Sequence, residues 1–265
     1  MKWYDSIKNT DDVVISSRVR LARNLEKYPF PPKLDRDSSQ KVALCIKEAL
    51  DENYSEKLEF VEMDKCTNKN VLVEEHIISP DFCNENGLYK ALVTSEDGNL
   101  SIMINEEDHV RIQSIFSGFN LDRAYEKASG ADDAMMKNVS FAFDDKYGFL
   151  TSCPTNLGTG LRASVMLHLP AISKTGYIKY LVNLMTKIGL CVRGLYGEGS
   201  EAKGSMYQLS NQITLGMSEE DTIKKLKSAV EQIVEKERET RKLLLENSGS
   251  DILDNLWRSY GMLRY

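Results

Sequence analysis

Hydrophobic and polar positions alternate from Val13 to Asn24 (VVISSRVRLARN), which predicts an extended strand. Ile15, Val19 and Leu21 fall on one side of it, and Ser16, Arg18 and Arg20 on the other. After the cluster YPFPP, a helical repeat predicts a helix over 37–50, with Val42, Leu44, Ile46 and Leu50 among its apolar positions. Short apolar runs predict strands at 58–62, 71–73, 89–94 and 100–104. Helical periodicity returns at 119–137, 171–188, 218–246 and 251–259. Between 140 and 215 lie short strands and Gly-rich loops. Strands and helices in separate blocks predict an α+β protein with a mainly antiparallel sheet, and the length allows one large domain or two small ones. The charged stretch 219–246 reads as a solvated amphipathic helix.

The same alternation locates candidate chemistry. If 101–115 runs as one strand, Asn105, Glu107, His109, Arg111 and Gln113 form a polar row, and Ile102, Ile104, Val110 and Ile112 face the other way. Glu107 and Arg111 would then stand about 13 Å apart at ~3.3 Å per residue, a span suited to the two ends of an elongated ligand. Arg18 and Arg20 point together and repel unless an anion lies beside them. The guanidinium fork favours phosphate or carboxylate. Arg162 follows the loop CPTNLGTG, and Arg193 precedes Glu198 in a Gly-rich loop, so a polyphosphate site built from arginines is expected.

Composition narrows the class. The chain has 265 residues, 42% hydrophobic and 28% charged, and no apolar run approaches the ~18 residues of a membrane span. A net charge of −6 argues against broad nucleic-acid binding, which needs a basic face. Cys45, Cys66, Cys83, Cys153 and Cys191 are widely spaced with no C-x-x-C, so neither a disulfide framework nor a zinc site is indicated, and a cytoplasmic location is expected. Of 12 arginines, six (Arg18, Arg20, Arg23, Arg111, Arg162, Arg193) fall in four short stretches. GTGLRAS and GEGSEAKGS lack P-loop spacing, and no H-R-D or D-F-G appears.

Together SSRVRLAR (16–23), NEEDHVR (105–111), CPTNLGTGLRASV (153–165) and RGLYGEGSEA (193–202) resemble the ATP:guanidino phosphotransferase (phosphagen kinase) family, and within it the bacterial protein-arginine kinase branch. The resemblance implies one catalytic domain over 1–265, an antiparallel sheet flanked by helices, with ATP as phosphoryl donor and Mg²⁺ arriving on its phosphates. It implies that Ser16, Ser17, Arg18, Val19 and Arg20 lie along the phosphates and that Arg111, Arg162 and Arg193 complete the cage. Ala163, Ser164, Val165 and Met166, with Gly194, Leu195, Tyr196, Gly197 and Glu198, are expected to line the nucleotide pocket, and His76 to contact it. Glu107 matches the catalytic carboxylate, Glu198 a second carboxylate that holds the substrate guanidinium, and Cys153 a cysteine beside that guanidinium. No protein-side metal site is expected.

The branch implies protein substrates with accessible arginines, marking for Clp-type proteolysis, a role in the stress response, and partners in the Clp machinery and a stress-gene repressor or activator. Neither nucleic acid nor membrane is expected as a partner. Its members continue past WRSYGML into a phosphoarginine-binding, dimerising domain, and the chain printed here stops at Tyr265, so that domain is expected to be absent or truncated. Two other readings stay open: a small-guanidino kinase, disfavoured by the early SSRVR motif, and an inactive nucleotide-binding adaptor, disfavoured by the intact Glu107, Glu198 and arginines.

Overall fold

The computed structural model describes residues 3–6, 12–84, 87–194 and 203–264. The strands are β1 (Val14–Arg23), β2 (Leu58–Glu62), β3 (Ala91–Ser95), β4 (Leu100–Ile104), β5 (Val110–Ser117), β6 (Phe143–Asp144), β7 (Gly148–Phe149), β8 (Leu161–His168), β9 (Leu190–Gly194) and β10 (Met206–Asn211). The α-helices are α1 (Arg36–Asn53), α2 (Lys69–Glu74), α3 (Leu121–Met136), α4 (Pro170–Lys174), α5 (Ile178–Lys187) and α6 (Glu219–Arg264). Eight strands form one sheet in the order β2-β3-β4-β5-β1-β8-β10-β9, antiparallel throughout, and β6 and β7 form a separate hairpin.

The first strand in the chain is central in space. β1 pairs with β5 on one side and β8 on the other, so it joins the strands of 58–117 to those of 161–211. Its apolar alternation explains the position. Val19 and Leu21, with Ile102, Ile112, Ala163, Val165 and Leu209 from neighbouring strands, are at most 1% exposed and pack against the layer of α1, α3 and α6. Helix α1 begins where the Asp35 carboxylate accepts the Ser38 N–H at 2.8 Å, satisfying one of the first-turn donors. It buries Val42, Ala43, Ile46, Ala49 and Leu50. Leu44, expected on this stripe, is instead exposed, because it lies a half-turn from Ile46.

Three element expectations are corrected. Residues 71–73 belong to α2, whose Leu72 and Val73 pack beside Met63, Phe82, Leu92 and Met103; three apolar residues cannot by themselves distinguish helix from strand. The helix expected over 171–188 is two, α4 and α5, separated around Gly176 at φ 74°. The two expected at 218–246 and 251–259 run together as α6, interrupted at Ser248.

Arg23, although part of the arginine-rich stretch, belongs to the helix face. It is 1% exposed and its Nε and Nη2 donate to Asp132 of α3 at 2.7–3.1 Å. Its Nη1 donates to the carbonyls of Ala22 at 2.9 Å and Thr159 at 2.8 Å, and the guanidinium lies 3.6 Å from the centre of the Phe149 ring. Glu219 lies farther off, 3.5 Å from Nη2, so removing Asp132 leaves the buried charge with only that weaker carboxylate partner. Asp132→Ala is therefore expected to destabilise the fold by about 3–5 kcal/mol, read as a lower urea midpoint with an unchanged m-value.

Candidate active site

Strand register decides which side chains meet. Arg20 lies opposite both Gln113 and Arg162, Arg18 opposite Ser164, and Arg111 opposite Ala22. Ser16 lies opposite Met166, Met166 opposite Gln208, and Gln208 opposite Arg193. Directly paired residues share a face of the sheet. Arginines 18, 20, 111, 162 and 193, from four strands, therefore converge on the face away from α1, α3 and α6. Ser17, Val19, Ala163 and Val165 point the other way: the Ser17 hydroxyl donates to the Gly118 carbonyl and accepts the Asn120 N–H, both at 2.9 Å. Any part these four take in a ligand site is through the main chain. Gly194 ends β9 beside Arg193, while Leu195, Tyr196, Gly197 and Glu198 lie outside the described residues.

The loop carrying CPTNLGTG reaches this face because of a glycine. Gly160 has φ 64° and its carbonyl accepts the Ala22 N–H at 3.0 Å; a Cβ there would lie 2.6 Å from the Ala22 carbonyl oxygen. The glycine serves close packing against β1.

Charge is crowded here. Burial, then the charges of Arg111 and Arg162, bring the Arg18 guanidinium down to about 10. Burial and the Arg18, Arg111 and Arg162 charges push Arg20 down further, opposed by Glu106, and burial and Arg193 push Arg162 down. Nε of Arg20 and Nε of Arg162 are buried without a hydrogen-bond partner. A guanidinium does not give up its proton to relieve such crowding, so a polyanion with several acceptor oxygens is what fits.

The polar row expected along 101–115 is not one strand. Ile104 pairs with Val110, and NEEDH (105–109) is the turn between β4 and β5. The turn starts at Asn105, φ 62°, a conformation that asparagine tolerates better than most residues. Arg111 and Gln113 remain on the arginine face, whereas Asn105, Glu107 and His109 leave the row. Glu106 and Asp108 also find their partners: both carboxylate oxygens of Glu106 accept from Arg111 Nη1, at 2.7 and 2.6 Å, and one also accepts from Ser79 Oγ. Asp108, 2% exposed, accepts from Asn24 Nδ2 and the Ser152 N–H, each at 2.6 Å. His109 is fully buried, with Nδ1 accepting the Leu25 N–H at 3.0 Å. Glu107 alone in this turn presents an exposed side chain.

Two cavities open on the arginine face. One, of about 220 Å³, is lined by Glu107, Arg111, Arg20, Arg162, Cys153 and Thr155 among others. The other, of about 330 Å³, is lined by Arg18, Ser16, Ser164, Met166, His76 and Trp3 among others. The site is thus elongated: a carboxylate and a thiol at one end, guanidiniums between, and a mixed aromatic and thioether pocket beyond. Burial and the Arg18 charge push the His76 imidazole down, favouring its neutral form. Its backbone, at φ 58°, follows the end of α2, and its carbonyl accepts from Gln113 Nε2 at 2.6 Å. Trp3, Ile115, Met206 and Gln208 also line this second cavity but were not expected from the sequence, because only the register of β10 against β8 and the fold of the first residues bring them there. Alternation along MYQLSN puts Met206 and Gln208 on a common face, a signal that could have pointed to them.

The sequence matches the model of the ATP:guanido phosphotransferase C-terminal catalytic domain over residues 38–240. The chain belongs to the ATP:guanido phosphotransferase family. It is 48% identical over 267 residues to a protein-arginine kinase of Halalkalibacterium halodurans, covering 99% of this chain and 75% of that one. It is 47% identical to a protein-arginine kinase of Syntrophomonas wolfei, covering 96% and 72%. Among solved structures it resembles the duplicated taurocyamine kinase of Schistosoma mansoni with bound transition-state-analogue components (TM-score 0.79, 30% identity, 87% of this chain and 34% of that one). It also resembles a lombricine kinase (TM-score 0.76, 25% identity, 89% and 70%).

A face of guanidiniums from four strands offers the kind of donors that phosphate oxygens accept. Arg20→Ala is expected to weaken binding of inorganic tripolyphosphate by about 10- to 100-fold, the equivalent of ~1.5–3 kcal/mol for hydrogen bonds to a charged group. Calorimetry at two salt concentrations checks this, with a smaller salt dependence in the variant.

Proposed function

We propose that this protein transfers the γ-phosphoryl group of ATP to arginine side chains of proteins. The observation that carries the reading is that Glu107 lines one cavity with Arg20, Arg111 and Arg162; the 48% and 47% identity to proteins named protein-arginine kinases supports the choice of acceptor. In the reaction an acceptor guanidinium nitrogen attacks the γ-phosphorus in line, an N–P bond forms, the bond to the bridging oxygen breaks, and ADP leaves.

Glu107 orients the attacking nitrogen and receives its proton. A carboxylate near pKa ~4.3 and a guanidinium above ~12 differ by on the order of 10 kcal/mol against proton transfer in the ground state. The proton therefore moves only as the N–P bond forms and the nitrogen becomes acidic. Positioning carries most of the acceleration, while Arg18, Arg20, Arg111 and Arg162 stabilise charge on the transferring phosphoryl oxygens. Among the described residues no three His, Cys, Asp or Glu side chains gather as a metal site, and a face of N–H donors does not fit a bare cation. Mg²⁺ in this reading is held by the nucleotide phosphates, whose charge it neutralises. The reading extends to Glu198 as a second holder of the acceptor guanidinium and to Cys153 as its neighbour. It also extends to marking proteins for Clp-type proteolysis in a cytoplasmic stress response, with the Clp machinery and a stress-gene repressor or activator as partners. These rest on the resemblance of the motifs.

The test is incubation with Mg·ATP and either casein or free arginine, followed by phosphorus NMR for an acid-labile P–N signal. Signal on casein is expected; signal chiefly on free arginine would make the protein a small-guanidino kinase, as the taurocyamine and lombricine kinases are by name, and no signal would favour a nucleotide-binding adaptor. Glu107→Gln should slow transfer by about 10²–10⁴-fold while leaving ATP affinity nearly unchanged.

The pH dependence has a defined sign. Burial, then the charges of Asp108 and Glu106, push Glu107 up, against the opposing pull of Arg111 and Cys153. The working form is the carboxylate, so the rate falls as pH drops through this raised value. The acid limb of the kcat profile is expected above the ordinary glutamate value of ~4.3.

A further inference from the structure

Four of the five residues of NEEDH hold the turn, and they hold it to different parts of the molecule. Asn105 donates from Nδ2 to the carbonyls of Ser39 at 2.9 Å and Tyr89 at 2.7 Å. Glu106 pairs with Arg111 of β5, and the His109 ring accepts from the main chain at Leu25. Asp108 connects to the segment before Cys153. One oxygen, Oδ1, accepts both the Ser152 N–H and Asn24 Nδ2. Asn24, 1% exposed, follows the last residue of β1; its Oδ1 accepts the His109 N–H at 2.8 Å, and its Nδ2 also donates to the Leu150 carbonyl at 3.1 Å. Asn24 and Asp108 thus tie three separate chain segments: the end of β1, the turn that presents Glu107, and the 150–153 segment that presents Cys153.

We propose that Asp108, locked by Asn24, is the positioning residue that fixes Glu107 against Cys153, and thereby sets the acceptor end of the cleft. This inference rests on the phosphotransfer reading above. Asp108 is buried and acts through its neighbours: the turn that carries Glu107 and the main chain at Ser152. Both hydrogen bonds to the side chain end on one oxygen, so the tie needs an acceptor at Oδ1 and not a negative charge. Shifts of about 1 Å in a catalytic group can slow a reaction by ~100-fold.

The experiment compares Asp108→Ala, Asp108→Asn and Asn24→Ala in the full chain, each first checked for a native circular dichroism spectrum. Three quantities are read: kcat and the KM for ATP with casein as acceptor, the pH profile of kcat, and the rate at which iodoacetamide alkylates the Cys153 peptide, followed by mass spectrometry. Asp108→Ala and Asn24→Ala are expected to lower kcat by about 100-fold with the KM for ATP within twofold. They are also expected to alkylate at Cys153 at least about fivefold faster, as the segment loosens. Asp108→Asn, which keeps the acceptor, should recover most of kcat and the wild-type alkylation rate. Burial and the charges of Asp108 and Glu106 raise Glu107, and the Arg111 charge and a hydrogen bond with the Cys153 thiol oppose them. Removing the Asp108 charge alone should therefore move the acid limb to lower pH.

An Asp108→Asn variant as slow as Asp108→Ala would overturn the proposal in favour of a purely electrostatic role, as would unchanged kcat in Asp108→Ala or a fall shared with ATP affinity. If Asp108→Ala does not fold, the decision falls to Asp108→Asn and Asn24→Ala on the same criteria. If wild-type protein transfers no phosphoryl group, the phosphotransfer reading fails, while the alkylation rates still decide whether Asp108 and Asn24 hold the Cys153 segment.

Discussion

Like-charge repulsion on one face of the sheet is the constraint from which the rest of the site follows. Arg18, Arg20, Arg111 and Arg162 are brought together by strand pairing, each loses hydration through burial or enclosure, and Glu106 gives only partial compensation, through Arg111. The opposite face holds the strands in place: its mostly apolar core packs against α1, α3 and α6, and burial of that kind contributes about 25 cal/mol per Å². A site that is costly when empty and relieved by a polyanion is suited to phosphoryl transfer, where charge must be met without reorganisation.

The same strand alternation separates two kinds of arginine that look equivalent in SSRVRLAR. Arg18 and Arg20 face the cleft. Arg23, on the other face, is satisfied by Asp132 and by main-chain carbonyls, and it supports the junction of β1 with α3 and the β6–β7 hairpin. A residue's chemistry is thus decided by its parity along β1, and by whether an acid lies across from it.

The acid end is organised by a turn. Alternation correctly separated Ile102, Ile104, Val110 and Ile112 from Arg111 and Gln113, because β4 and β5 each keep the pleat. It failed at Asn105, where a positive φ reverses the chain and converts an apparent strand into a hairpin. The cue was present in the change from the apolar run Ile102-Met103-Ile104 to the five polar residues NEEDH, a break that a two-residue period does not produce. Within the hairpin the crowd of charge in NEEDH resolves into one presented carboxylate and four residues that hold it.

From sequence alone came the α+β class, the antiparallel sheet, an alternating strand over 13–24 with two arginines on one side, and the four motifs that carry the resemblance to the family. These were legible because alternation, helical periodicity and motif spacing are local properties, written within a few residues of chain. Tertiary structure alone decided that β1 lies between β5 and β8, that Arg20 faces Arg162 across a strand pair, that Trp3 and Gln208 border the second cavity, and that Asn24 reaches Asp108. Those are contacts between residues far apart in the chain. They depend on strand register and on which buried polar group finds its partner, and local pattern does not encode either until the core has closed.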